Sequence, residues 1–245
     1  MWKPLFKARK VQLVYRMLCS WMLLFMLISD PICLKSLKYL EFFTIWTLIM
    51  TNATFILLIA HYFSYKKNKK SLFHQYLWRI ALVVFTLSIT WEATLTLIFW
   101  AVLRKDDPKP FFENIKTFNY NFDHILPLSF LVIDFITNKY LLIMTHLVFT
   151  ILYAIIYVLF NCILVLEFNQ KIYSILTFKD WETATWIAAM FSIAIVSHVT
   201  FVLISRCKTS KYDAIVNAAQ NKHLVSKSIN DMKFDDTKQT DSFHS

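Results

Sequence analysis

Thr44, in LEFFTIW, and His124, in NYNFDHILPLSFLVID, each stand at the head of an apolar run. Together they are the parts of an acyl-transfer site. A threonine hydroxyl is a weak nucleophile until a neighbouring base takes its proton, and histidine, with an ordinary pKa of about 6.5, suits that task near neutrality. At the headgroup level of a bilayer, such a pair would reach an ester whose acyl chains stay in lipid while water arrives from the surface. The same two types also occur as ordinary helix-head residues, so composition alone leaves both readings open.

Other ionisable residues inside apolar runs are few: Arg16, His61, Glu92, Asp134, His146 and His198. Each charged group at a helix centre costs roughly 2.5 to 3.5 kcal/mol on insertion scales, so each needs a reason to be there. Asp134 follows His124 by ten residues, about 15 Å further along a helix and on a different side, so it does not orient the imidazole. Its depth matches that of His146 and His198. These three are expected to form a polar cluster, either a hydrogen-bonded packing knot or a second active site. Glu92 must be protonated or paired, and either lines the pocket or bonds neighbouring Ser and Thr. No HxxH or HxxxH pair lies on any one run, which argues against a metal site, and no cofactor is implied.

The elements that must hold these groups follow from composition. Of 245 residues, 57% are hydrophobic and 17% charged, too apolar for an ordinary water-soluble domain. A spanning helix needs about 20 mostly apolar residues. Six runs stand out, over residues 11–29, 44–64, 80–102, 124–137, 140–166 and 184–205, the fourth being short. The sequence therefore predicts an all-α polytopic membrane domain over residues 1–206 with six transmembrane helices, then a polar tail over 207–245 whose composition predicts disorder.

Charge sets the expected sidedness. Lys3, Lys7, Arg9 and Lys10 precede the first run, Lys66, Lys67, Lys69 and Lys70 follow the second, Lys139 follows the fourth, and Arg206, Lys208 and Lys211 follow the sixth. The opposite loops mix their basic residues with acids, so both termini are expected in the cytoplasm. The formal net charge of +10 is thereby read as a topology signal that also attracts anionic headgroups, not as a nucleic-acid surface. The first run carries Arg16 and lacks a small-residue cleavage site, so it is expected to be retained as a span. Glycine is absent, which excludes Gly-rich phosphate loops and GxxxG contacts and leaves Thr47, Thr51, Thr54, Ser88 and Thr90 among the small residues that would let helices approach. Cys33 and Cys162 fall on the non-cytoplasmic side as separate thiols or as a disulfide, and Cys207 is placed for palmitoylation. The loop KDDPKPFFENIKTFNYN would form either a lid or an interfacial aromatic belt.

Over roughly residues 38–205 the chain resembles the androgen-induced membrane protein family, which includes the rolling stone proteins. In that family a His heading the fourth span is followed ten positions on by Asp or Glu, as His124 is by Asp134. A further His twelve residues later and an aromatic-rich span are matched by His146 and LYAIIYVLF, and Phe42 to Trp46 is similar to the opening of the second span. Tyr173 to Thr177 departs from the family's Tyr-Pro-x-Leu-Asp, and Asp123 departs from the usual residue before the His. The resemblance implies a hydrolase of fatty-acid esters of hydroxy fatty acids, with Thr44 as nucleophile and His124 as base, membrane lipid as substrate, and a plasma-membrane or endoplasmic-reticulum location. The rolling stone branch implies instead a non-enzymatic role in cell-surface organisation, fusion or signalling. A proton-coupled carrier would draw on Glu92, Asp134 and the histidines, but the sequence shows neither broken helices nor inverted repeats.

Overall fold

A computed structural model describes residues 9–34, 40–67, 71–101, 122–170, 172–173 and 176–210. The expected lid loop over 105–121 lies outside the described residues, as does all of the expected tail from 211 onward. The fold is all-helical, with α1 at Arg9–Leu34, α2 at Phe43–Lys67, α3 at Leu72–Ala101, α4 at Leu126–Thr137, α5 at Leu147–Leu166 and α6 at Trp181–Ser210. Five of these are long and apolar enough to cross a membrane; α4 is not.

Helix bounds differ from the apolar runs where polar residues continue a helix or where the backbone leaves it. Helix α3 begins eight residues before residue 80 because His74, Gln75 and Arg79 end the apolar run without breaking the helix. Helix α5 begins late. Residues 140–143 lack helical structure, and the 3-10 turn Met144–His146 leads into α5. The Leu142 amide, which a helix ladder would otherwise satisfy, donates to Ser205 Oγ of α6 at 3.1 Å.

Helix α3 is the centre of the bundle: 67% of its most apolar stretch is buried, against 22% to 50% for the other four long helices. It packs against α2, α4 and α5, and α1 packs against α2. The buried side of α1 carries Arg16, Cys19, Leu23 and Met26 at helical spacing, while Val14, Leu18, Trp21 and Phe25 are exposed on its other flank. Both faces are apolar, the pattern expected where the surrounding solvent is lipid.

Absence of glycine leaves threonine and serine to mediate close approach. Thr47, Thr51, Thr54, Leu58 and His61 form the buried stripe of α2, alternating steps of four and three residues. Thr54 Oγ1 meets Ser88 Oγ at 2.9 Å, and Thr51 Oγ1 donates to Glu92 Oε1 at 2.9 Å. These two pairs set the antiparallel register of α2 on α3. The free thiols are Cys19, Cys162 and Cys207; the Cys33 side chain lies outside the described residues.

The segment from His124 to Tyr140 runs along α3. His124 lies on Phe99, Phe135 lies against Phe85, and Tyr140 lies against both Phe85 and Trp78. From Phe99 to Trp78 is about 31 Å of helix, close to the roughly 30 Å of a bilayer's hydrocarbon core. Helix α4 covers about 18 Å of that length with its 12 residues, and non-helical backbone covers the rest.

Candidate functional site

Thr44 sits in the first turn of α2, half-buried, and its carbonyl accepts from Thr47 Oγ1 at 2.9 Å. At about 100° per residue it falls near Thr51 in helical phase, but it is not among the buried side chains of α2. Carrying the register of Thr54 with Ser88 and Thr51 with Glu92 two turns further puts Thr44 level with the stretch of α3 that ends at Phe99. His124 is buried at the head of α4, its ring stacked on Phe99 at 3.8 Å and 15°. Its carbonyl accepts from Thr96 Oγ1 at 2.8 Å. Phe99 follows Glu92 by seven residues and shares its face of α3. The register thus brings the nucleophile and base candidates to the same end of α3. Among the described residues, no hydrogen bond joins them.

Glu92 is buried at the α2–α3 contact, with the Thr51 hydroxyl as its donor and Thr47 one turn away on the same side. Of the two alternatives that the sequence left open, lining a pocket or bonding neighbouring Ser and Thr, the Thr51 contact is the second.

Asp134 goes elsewhere. Its Oδ1 accepts from Arg16 Nε at 2.9 Å, and its Oδ2 accepts from Arg16 Nη2 at 3.2 Å and from the Tyr140 hydroxyl at 2.5 Å. All three side chains are buried. Asn138 Nδ2 donates to the Asp134 carbonyl at 2.7 Å, while Lys208 Nζ of α6 donates to the carbonyls of Phe135 and, at 2.6 Å, Asn138. The last turn of α4 thereby ends on a basic side chain, which suits the negative end of a helix.

His146 and His198 lie on another flank of α3. His146 Nδ1 contacts Thr86 Oγ1 at 3.1 Å, and because that hydroxyl already donates to the Leu82 carbonyl at 2.7 Å, the imidazole Nδ1 is the donor. His198 Nδ1 stands 3.5 Å from Thr90 Oγ1. The expected cluster of Asp134, His146 and His198 is therefore divided between an ion triad and two histidine–threonine contacts. Arg16, costly within an apolar run, has its partner in Asp134. Its signal was available: Arg16 and Asp134 are the basic and acidic residues deepest in their respective runs.

An aromatic group closes the Thr44 end of the bundle. Phe43 stacks on Tyr157 at 4.4 Å and meets Trp91 edge-on at 5.0 Å, and Trp46 packs on Tyr157 and Phe160. The Phe43 amide donates to the Tyr173 hydroxyl, and the Tyr157 hydroxyl donates to the Glu41 carbonyl. Tyr173, read above as part of a degraded loop motif, anchors the start of α2.

Among the described residues, no three His, Cys, Asp or Glu side chains gather as metal ligands. The chain matches no known family model, no characterised protein and no solved structure.

Proposed function

We propose that this chain is a six-span member of the androgen-induced and rolling stone-like membrane proteins, with both termini cytoplasmic, and that it hydrolyses fatty-acid esters such as those of hydroxy fatty acids. One observation carries the reading: the α2–α3 register brings Thr44 level with Phe99, the ring on which His124 is stacked. The course of His124 to Tyr140 along about 31 Å of α3 supports the sixth crossing. Contacts of Arg16 in α1 and Lys208 in α6 with the same end of α4 support placing both chain ends on one side.

In this mechanism His124 takes the proton of the Thr44 hydroxyl, and the threonine oxygen attacks the ester carbonyl. The carbon–oxygen bond to the leaving alcohol breaks, the alcohol takes the proton from the imidazolium, and the acyl group remains on Thr44. Water then gives a proton to His124 and attacks the acyl-threonine. Fatty acid leaves and the proton returns to Thr44. Stacking on Phe99 fixes the imidazole plane so that its nitrogens act at the ring edge.

Purified protein in detergent, offered lipid esters and a fluorophosphonate probe, tests the proposal. Wild type is expected to turn over ester and take the label, and Thr44→Ala and His124→Ala to lose about a hundredfold or more of the turnover. Equal labelling and turnover in all three forms would overturn it.

A further inference from the structure

A threonine hydroxyl on a helix has a standing alternative to chemistry, which is to donate back to the carbonyl three or four residues earlier. This chain uses it repeatedly. Thr54 donates to the Met50 carbonyl at 3.0 Å, Thr86 to that of Leu82 at 2.7 Å, Thr94 to that of Thr90 at 2.8 Å and Thr200 to that of Val196 at 2.8 Å. Thr44 does not. Among the described residues its hydroxyl makes no hydrogen bond, although the side chain is half-buried.

The carbonyls four and three residues before Thr44 belong to Leu40 and Glu41, in the 3-10 turn that leads into α2. Both are engaged by other donors. Trp46 Nε1 donates to the Leu40 carbonyl at 2.8 Å, and the Tyr157 hydroxyl of α5 donates to the Glu41 carbonyl at 2.7 Å. These two donors are themselves held. Tyr157 is buried with its ring stacked on Phe43 at 4.4 Å, and Trp46 meets the same tyrosine ring edge-on at 5.3 Å, so they form one aromatic unit. Glu41 is fixed from a further direction, where Gln170 Nε2 donates to its Oε2 at 2.5 Å. A carbonyl oxygen that already accepts one hydrogen bond is a poorer acceptor for a second, because both donors draw on the charge of the same atom.

We infer that Trp46 and Tyr157 are positioning residues for the proposed nucleophile. By engaging the Leu40 and Glu41 carbonyls they deny the Thr44 hydroxyl its local acceptors and leave its proton for an external base. A hydroxyl already bonded to the backbone would have to give up that bond before it could donate to an imidazole. Neither side chain needs to touch the ester in this role. The inference deepens the hydrolase proposal and rests on it for the identity of base and ester, but the state of the hydroxyl can be read without turnover.

The test uses the full chain in nanodiscs, with Tyr157→Phe and Trp46→Phe, each of which removes the donor and keeps a ring. The first measurement is the methyl NMR spectrum of threonine-labelled protein, with the Thr44 signal identified by its loss in Thr44→Ala. A threonine that turns to bond its own backbone changes χ1 and the charge on Oγ1, and its methyl signal moves. The Thr44 signal is expected to move in both variants while those of Thr54 and Thr86 stay in place. A Thr44 signal that stays put in both would overturn the inference whatever the kinetics. The second measurement is kcat and KM on p-nitrophenyl palmitate. Each variant is expected to lose about tenfold in kcat with KM unchanged, a split that general loosening of the fold would not produce. A kcat equal to that of wild type in both, or a rise in KM without a fall in kcat, would also overturn it. Wild type that turns over no ester would sink the hydrolase proposal, and the Thr44 signal would still decide whether the two donors hold the hydroxyl free. The two positions lie on different helices, which guards against one variant failing to fold.

Discussion

Arg16 and Asp134 are both almost wholly removed from solvent, and they answer each other with a two-pronged contact completed by Tyr140. A buried pair of this kind adds little over a hydrophobic replacement, but breaking it leaves an uncompensated charge at a cost of about 3 to 5 kcal/mol. Asp134→Asn or Arg16→Met alone is therefore expected to lower the thermal stability of the purified protein sharply. The double variant Arg16→Met with Asp134→Leu is expected to recover most of the loss. Single variants as stable as wild type would show that the triad does not hold α1 to α4. Asp134 illustrates what sequence could and could not give. Its type and depth marked it as needing a partner, and His146 and His198 lay at the same depth. Which partner it meets depends on how each helix is rotated about its axis, and that is decided by the packing of a stripe such as Arg16, Cys19, Leu23 and Met26. Thr44 and His124 were legible in the same limited sense: residue type and position on the helix head marked them, whereas Phe99, the ring on which His124 is stacked, was not marked.

At the scale of elements, helices were visible as apolar runs and their ends were not, because ends are set by local hydrogen bonding. The start of α6 is an example. Asp180 Oδ1 accepts from the Thr183 amide at 3.1 Å, its Oδ2 accepts from the Thr177 hydroxyl at 2.6 Å, and Phe178 takes a positive φ of 54° just before it. This is an N-cap built by an acidic side chain. The Thr177 hydroxyl, with the amide of Thr183, holds the Asp180 carboxyl below its usual value of 3.8. A lowered pKa means stabilisation present above that usual value and lost as pH falls through the folded one. The melting temperature of Asp180→Ala is accordingly expected to lie below that of wild type at neutral pH, with the gap narrowing as pH falls below 3.8. A gap independent of pH would contradict the cap. The α2–α3 contact gives a second prediction. Glu92→Leu removes the acceptor of the buried Thr51 hydroxyl, which is expected to cost about 1 to 3 kcal/mol. Glu92→Gln keeps an acceptor and is expected to lose less. If both destabilise equally in thermal melts, the hydrogen bond is not what holds that contact.

For the whole molecule, α3 is the axis on which α2, α4 and α5 converge, and hydropathy did not mark it, because α5 and α6 are the more apolar runs while α3 carries Glu92 and a series of threonines. Helix α4 was less legible, since a short helix gives way there to the non-helical backbone of 138–143, and apolar content alone does not reveal the helix end. Six crossings with both termini in the cytoplasm predict that membrane-impermeant reagents applied to intact cells miss tags at either end and reach both after permeabilisation. Tags on opposite sides would remove one crossing and with it the shared level of Thr44 and His124. The proposed chemistry stands or falls on a bond to one oxygen. Wild-type protein mixed with a long-chain lipid ester, quenched in acid within one turnover and digested, should carry the acyl mass on the Thr44 hydroxyl, with no such adduct in Thr44→Ala. Substrate consumed without that adduct, or an adduct mapped to another residue, would contradict the assignment of Thr44 as nucleophile.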